Sequence, residues 1–358
     1  MADPRDARYA ELLVDECVGV QPGWQVLVIS SPEGRPLVEE IAALIGRRAA
    51  YANLRIGFGG LGSLSWAKEA PMELLATMPD VDRHAIMTCD ALIQVQAPEN
   101  TREGAGLAPE RLQALQLAFA PALQRLANEG VPWVGCQYPT PALAQEAGMS
   151  TQDFADFLYG ACLLDWDAER VRMRRYADRF DAATTVRIVA AGTDLTLSIE
   201  GRRTEVDAGG KNVPGGEFFT SPVEDSAEGE IAFTEFPAVY GGRELQGIRL
   251  RFESGRVVDA SADTNEEFLR QVLDQDEGAR FLGELGIGCN PGITRYMRNT
   301  LFDEKIDGTV HLALGKGIAE VGGTNESAIH WDIVKDLRDG GRIELDGEVV
   351  QQDGRWLV

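Results

Sequence analysis

Imidazole is scarce in this sequence: there are three histidines, and two of them, His311 and His330, fall close together in the carboxy-terminal half. His330 lies in AIHWD, two residues before Asp332, and on an extended strand that spacing puts both side chains on one face. An imidazole beside a carboxylate suits zinc, cobalt, manganese or iron. His311 heads the apolar segment HLALGKG, where a buried ring needs a partner, and a metal ion is one such partner. Glu284 stands in FLGELGIG among leucine, isoleucine and glycine, and Glu217 in PGGEFFTSP between paired glycines and paired phenylalanines. A carboxylate buried unpaired in such surroundings is costly or is neutralised. Taken singly, each of these residues is more often an ordinary hydrogen-bonded or surface group. Taken jointly, Glu217, Glu284, His311, His330 and Asp332 suffice to hold two divalent ions roughly 3.5 to 4 Å apart, as in two-metal hydrolases. Convergence of the five in space is a matter for the fold.

The elements that must position them follow from periodicity. Residues 8 to 20 read as an amphipathic helix ending at Gln21-Pro22-Gly23, and QVLVIS (Gln25 to Ser30) as a buried strand. A helix with Leu37, Ile41, Leu44 and Ile45 on one face and the strand-like YANLRIGF complete a β-α-β unit. Helical patterns at Met72 to Thr77 and Pro109 to Asn128 then alternate with the strands ALIQV and PWVGC. Such alternation implies a mostly parallel, helix-covered sheet. No GxGxxG or GxxxxGK[ST] segment follows any of these strands, so nucleotide binding has no support. Residues 151 to 182 read as a further helical stretch with Phe154, Phe157, Leu158, Leu163 and Leu164 as its apolar face. From Thr185 onward short alternating segments such as LTLSIEG, IRLRFESG and RVVDAS take over, and Asp346-Gly347 and Asp353-Gly354 mark hairpins. The expected fold is α/β, with an amino-terminal α/β domain over residues 1–181 and a strand-rich α+β metal-binding domain over 182–358.

Composition narrows the function. At 358 residues the chain exceeds the size of a single core, and a hydrophobic fraction of 44% without a long apolar run implies a soluble protein with no membrane partner. Asp and Glu outnumber Lys and Arg by 57 to 34, and a formal charge of -23 repels nucleic-acid backbones. Five scattered cysteines without CxxC spacing and an amino terminus without a secretory pattern point to a cytoplasmic protein with buried, reduced thiols. His84 reads as a surface histidine, ERVRMRRYADRF as a solvated helix face, and Gly322-Gly323 as a turn between the two histidine segments.

The segments NVPGGEFFTSP, FLGELGIG, NTLFDEKIDGTVHLALG and NESAIHWD resemble, in this order, the signature segments of the thermophilic metallo-aminopeptidase family, the aminopeptidase T and aminopeptidase S group. The likeness is strong over the second domain and looser over the first, where it rests on VGVQPGWQVLV. It implies that Glu217, Glu284, His311, His330 and Asp332 are the metal ligands of a two-metal exopeptidase, with zinc, cobalt, manganese or magnesium as the ions. Glu217 and Glu284 are then the candidates for catalytic proton transfer. A peptide or small amide is the implied substrate, and the implied assembly is a homodimer whose active sites face an enclosed cavity. One position departs from the family: Ile318 stands where the family carries a tyrosine, and isoleucine neither donates to an oxyanion nor relays a proton. Tyr296 or Lys316 is the candidate substitute; otherwise the reaction differs, for instance hydrolysis of a non-peptide amide, or turnover has been lost. The related ring-opening dihydroxypyridine dioxygenases, mononuclear iron enzymes, share segments like SPVEDSAEG, EVGG and the final His-x-Asp. They place histidine where this chain has Glu284 and lack counterparts of Glu217 and His311, so the peptidase pattern is the one followed.

Overall fold

The run QVLVIS forms the strand Gln25–Ser30, buried from Val26 onward, and nucleates a five-stranded sheet. The order is Tyr51–Ile56, Gln25–Ser30, Ala91–Gln96, Trp133–Gln137 and Asn212–Val213, and every adjacent pair is parallel. Parallel neighbours require crossovers, which the helices Arg35–Arg47, Asp80–Thr88 and Pro109–Asn128 supply. Helix Arg35–Arg47 turns Leu37, Val38, Ile41, Leu44 and Ile45 inward, the stripe its spacing predicts. Strand Tyr51–Ile56 is the sheet's edge, and Tyr51, Leu54 and Ile56 are exposed on it. The computed structural model describes residues 3–58, 63–128 and 130–357.

The stretch 151–182 is two helices rather than one. Thr151–Cys162 ends, and Asp165 starts Trp166–Asp181 by accepting a hydrogen bond from the Ala168 amide. Leu163 and Leu164 lie in the connection, half-buried. Two compact units result: Met1–Leu163 with Gly209–Pro214, and Leu164–Ala208 with Gly215–Val358. The texture of the sequence changes near residue 181, where helix gives way to strands, whereas the units divide at the helix break. The reason is packing: Phe180 meets Phe218 edge to face at 5.1 Å between centroids, and Tyr176 stacks on Trp356 at 4.2 Å. The arginines of this helix pair with acids on its exposed side, Arg170 with Asp167 and Arg174 with Asp178.

The second unit holds an eight-stranded antiparallel sheet running from Arg256–Ser261 at one edge to Arg355–Trp356 at the other. The hairpin residues Asp346, Gly347, Asp353 and Gly354 all have positive φ, at 48, 88, 50 and 71°, as tight two-residue turns demand. A separate five-stranded sheet carries the candidate site. Its order is His330–Asp336, Thr309–Gly315, Leu282–Gly288, Glu217–Thr220 and Glu205–Asp207, antiparallel throughout. The strands Leu282–Gly288 and Thr309–Gly315 are buried at every residue.

Phe180 is 1% exposed, and truncating a buried phenylalanine costs about 3–5 kcal/mol. Phe180→Ala is therefore expected to lower the stability of the second unit by that amount in urea unfolding. A loss below about 1 kcal/mol, within the range of surface substitutions, would show that the helix is not part of that unit's core.

Candidate metal centre

The five residues singled out from the sequence come together on one face of the second unit's smaller sheet. The register explains how. Glu217 lies opposite Gly288, His311 opposite Gly286, Glu284 and Asp332 opposite Ala313, and His330 opposite Gly315. Each functional side chain thus has a glycine or alanine across one ladder, which frees the space between strands for long polar groups. At Gly286 the need is absolute, because a Cβ there would stand 1.9 Å from His311 Nε2.

Within this space His311 Nε2 is 3.5 Å from Glu217 Oε2 and 3.4 Å from Glu284 Oε1. His330 Nε2 is 3.1 Å from Glu284 Oε2 and 3.5 Å from Asp332 Oδ1. Glu284 therefore offers one oxygen to each imidazole. Glu284, His330 and Asp332 each present a ligand atom, all within 4.8 Å of one another. Both rings are oriented from behind: His311 Nδ1 donates to the Glu304 carbonyl at 3.0 Å and His330 Nδ1 to the Lys316 carbonyl at 2.9 Å. A carbonyl can only accept, so Nδ1 carries the proton in each ring and Nε2 faces the carboxylates. Backing of this kind is how proteins orient histidines that ligate metals.

The electrostatics are those of a crowded, partly buried cluster. Burial works against a charged His311, but the Glu284 hydrogen bond and the Glu217 carboxylate outweigh it and raise its pKa to about 10. Burial is likewise overcome at His330, where the Asp332 and Glu284 carboxylates raise the pKa to about 11. Glu284 would be pushed up by burial, yet its two imidazole contacts hold it down at about 2. At Glu217 burial prevails over Lys305 and His311, and the pKa is raised. Two carboxylate oxygens, Glu217 Oε2 and Asp332 Oδ1, are buried with no hydrogen-bond partner. Buried carboxylate oxygens without a hydrogen bond, each 3.5 Å from a ring nitrogen, are a donor set that suits a divalent cation.

Three neighbours of the site, Gly286, Glu304 and Lys305, were not singled out from the sequence. Asp303-Glu304-Lys305 has the composition of a solvated turn, but Lys305 is fully buried, 3.0 Å from Glu217 Oε1 and paired also with the Glu304 carboxylate. Burial, opposed by Lys305 and reinforced by Glu217, raises Glu304 to about 7. Gly286 was hidden in another way, as a small residue within an apolar run; its place two residues after Glu284 on the same strand face was the available signal.

The residues weighed around Ile318 are placed as follows. Ile318 sits in the loop after strand Thr309–Gly315, its amide donating to Ser221 Oγ at 3.0 Å. Tyr296 donates its hydroxyl to the Pro237 carbonyl at 2.7 Å, and it lines a small cleft with Arg298, Asn299, Thr300 and Asp332. Lys316 is exposed and serves His330 through its backbone carbonyl. Gly322 turns the chain with φ 96°. His84 is exposed on helix Asp80–Thr88. A larger, apolar cavity of about 640 Å³ lies in the first unit among Trp66, Leu75, Leu115 and Phe119, and none of the five residues lines it.

Known proteins of the same organisation exist. The chain is 27% identical to aminopeptidase AmpS of Bacillus subtilis, with 97% of each chain covered. It is 29% identical to aminopeptidase T of Thermus aquaticus over 71% of this chain and 73% of that one. Among solved structures it is similar to wild-type AmpT from Thermus thermophilus, with a TM-score of 0.86 at 23% identity over 99% of both chains. The 2,5-dihydroxypyridine dioxygenase of Pseudomonas putida KT2440 is more distant, with a TM-score of 0.60 at 17% identity over 99% of this chain and 97% of that one. The profile of the thermophilic metalloprotease (M29) family matches residues 3–356, and the chain belongs to that family.

Proposed function

We propose that this protein is a two-metal aminopeptidase whose cations are held by Glu217, Glu284, His311, His330 and Asp332. The observation that carries the reading is the convergence of these five side chains, with two buried carboxylate oxygens left without a hydrogen bond. The donor set divides naturally. Glu217, His311 and Glu284 Oε1 would hold one ion, and His330, Asp332 and Glu284 Oε2 the other, with Glu284 contributing an oxygen to each. Zinc, cobalt, manganese and magnesium all suit such donors. Divalent ions bound there lower the pKa of a water and polarise a carbonyl.

The chain's own residues do the rest. Of the two candidate carboxylates for proton transfer, Glu284 is held at a pKa of about 2 with both oxygens turned to imidazoles. Glu217, whose pKa burial raises, is the better suited to exchange a proton with the attacking water and the leaving amine. The cleft beside Asp332, with Tyr296, Arg298, Asn299 and Thr300, is the approach for a peptide or small amide substrate. Tyr296 is the candidate for the hydroxyl function that Ile318 lacks. A homodimer belongs to the same proposal, supported by the exposed apolar edge strand Tyr51–Ile56. A cytoplasmic setting is supported by five scattered cysteines without CxxC spacing, four of them buried. No helix among the described residues is long and apolar enough to cross a membrane, and the charge of -23 disfavours nucleic acid as a partner.

Protein stripped of metal and reloaded with cobalt, zinc or manganese is expected to release amino-terminal residues from aminoacyl amides and short peptides. Glu284→Gln should lower kcat by at least about 100-fold, beyond the range of outer-shell substitutions. One iron per chain with oxygen-dependent turnover, or no cleavage across a broad peptide panel, would overturn the reading.

Proton uptake provides a second test. In the metal-free protein His311 and His330 are raised to about 10 and 11, so both rings are protonated at pH 8 and a cation must displace those protons. Metal binding should release up to two protons per chain from these rings at pH 8 and strengthen as pH rises, read by calorimetry in buffers of different ionisation enthalpy. For the metal-free fold the sign is opposite. These raised values stabilise it fully below the unfolded histidine value, and the contribution is lost as pH climbs through about 10 to 11. Binding without proton release would show that the imidazoles are not ligands.

A further inference from the structure

Lys305 has no place in the five-residue donor set, yet it is the group most deeply buried against it. Its ammonium is fully enclosed, 3.0 Å from Glu217 Oε1, and paired on its other side with the Glu304 carboxylate. One residue earlier, the Glu304 carbonyl accepts the Nδ1 proton of His311 at 3.0 Å. Two adjacent residues therefore touch two donors that lie on non-adjacent strands, Glu217–Thr220 and Thr309–Gly315.

We propose that Glu304-Lys305 is a clamp that builds the Glu217–His311 half-site, with Lys305 as a positioning residue for Glu217. This rests on the two-metal reading above. The geometry gives each oxygen of Glu217 a separate task. Oε1 is engaged by the ammonium, while Oε2, buried and without a hydrogen bond, stands 3.5 Å from His311 Nε2 on the side where a cation would be shared. On the histidine the same division holds, with Nδ1 engaged by the Glu304 carbonyl and Nε2 turned toward Glu217 and Glu284.

The clamp is itself immobilised. The Lys305 amide donates to the Phe302 carbonyl at 3.0 Å, and the Lys305 carbonyl accepts from the Asn290 amide at 2.9 Å. Asn290 Nδ2 in turn donates to the Gly215 carbonyl at 2.8 Å, two residues before Glu217. The approach of the Asn290 and Glu217 segments is close enough that a Cβ on Gly216, where φ is 111°, would fall 2.5 Å from Asn290 Cβ. The other half-site uses different support, the Lys316 carbonyl behind His330. Burying an ammonium between carboxylates is a poor way to gain stability compared with packing an apolar side chain of similar volume. Its use here is orientation.

The test replaces Lys305→Met, and separately Lys305→Met with Glu304→Gln. The double variant removes a negative charge along with the cation and keeps the Glu304 carbonyl, so it leaves one fewer buried carboxylate without its partner than the single variant does. Cobalt binding is read by equilibrium dialysis and visible absorption, with circular dichroism to confirm the fold. The expected result is that one cobalt per chain binds as in the unsubstituted protein, while the second is weakened about 10- to 100-fold with an altered spectrum. The peptidase kcat is expected to fall more than KM rises. Two cobalt ions bound with unchanged affinity and spectrum in the double variant would overturn the clamp while leaving the metal site standing. Failure of the underlying two-metal reading would look different, and would remove the clamp with it: the unsubstituted protein would bind no cobalt, or Glu217→Gln would leave both ions in place.

Discussion

The second unit is organised around one constraint: several carboxylates and two imidazoles must share the buried face of an antiparallel sheet. Side chains directly opposite one another on neighbouring strands stand only about 4.5–5.5 Å apart at Cβ. Long side chains there turn toward one another most easily where the opposite position is small. The solution is asymmetry across each ladder. Gly288, Gly286, Ala313 and Gly315 lie opposite Glu217, His311, Glu284 with Asp332, and His330. The strands Leu282–Gly288 and Thr309–Gly315 are consequently poor in side-chain volume on the side that carries the chemistry. They are held instead by burial of Leu285, Ile287, Leu312 and Leu314.

That arrangement accounts for how much of the site could be read from residues alone. Glu217, Glu284, His311, His330 and Asp332 were legible because a charged or ionisable group inside an apolar, strand-forming run is locally anomalous, and a scarce histidine repeated nearby is more so. Their grouping was legible only through resemblance to a family, since no spacing in the sequence says which strands are neighbours. Lys305 and Glu304 fall inside a segment that carries the resemblance, but nothing in the sequence marked them as part of the site. Their immediate neighbours, Asp303 and Asp307, make the segment look like a polar turn, and the burial of Lys305 arises from strands distant in sequence. The sheets show the same pattern. Local signals such as Asp346-Gly347 specify the hairpins because turn chemistry is set by the residues in it. The break at 163–165 was missed because the apolar stripes of helices Thr151–Cys162 and Trp166–Asp181 run on almost without interruption, and only the cap at Asp165 separates them.

The likeness to two enzyme types sharpens what the fold does and does not determine. The same architecture extends to a peptidase-named structure and a dioxygenase-named one, so the chain path alone selects neither chemistry. Selection lies in the donors. Glu284 turns one oxygen to His311 and the other to His330, a role that requires two equivalent acceptors on one group. An imidazole at that position would offer two nitrogens whose lone pairs diverge, unlike the paired oxygens of a carboxylate. The carboxylate at position 284 is thus the group that touches both imidazoles.

Charge balance then explains why so acidic a cluster can be buried. In the metal-free protein the carboxylates are offset by Lys305 and by protons held on His311 and His330, both raised well above the ordinary imidazole value. Those protons and divalent cations occupy the same ring nitrogens, so they are alternatives. Lys305 differs from both, because it binds Glu217 at an oxygen that the imidazole side does not use. The cluster therefore contains one positive charge fixed on Lys305 and two carried as protons on the imidazole rings. The fixed charge meets Glu217 at Oε1 while the imidazole faces Oε2, so loss of the imidazole protons would leave the Lys305 contact in place.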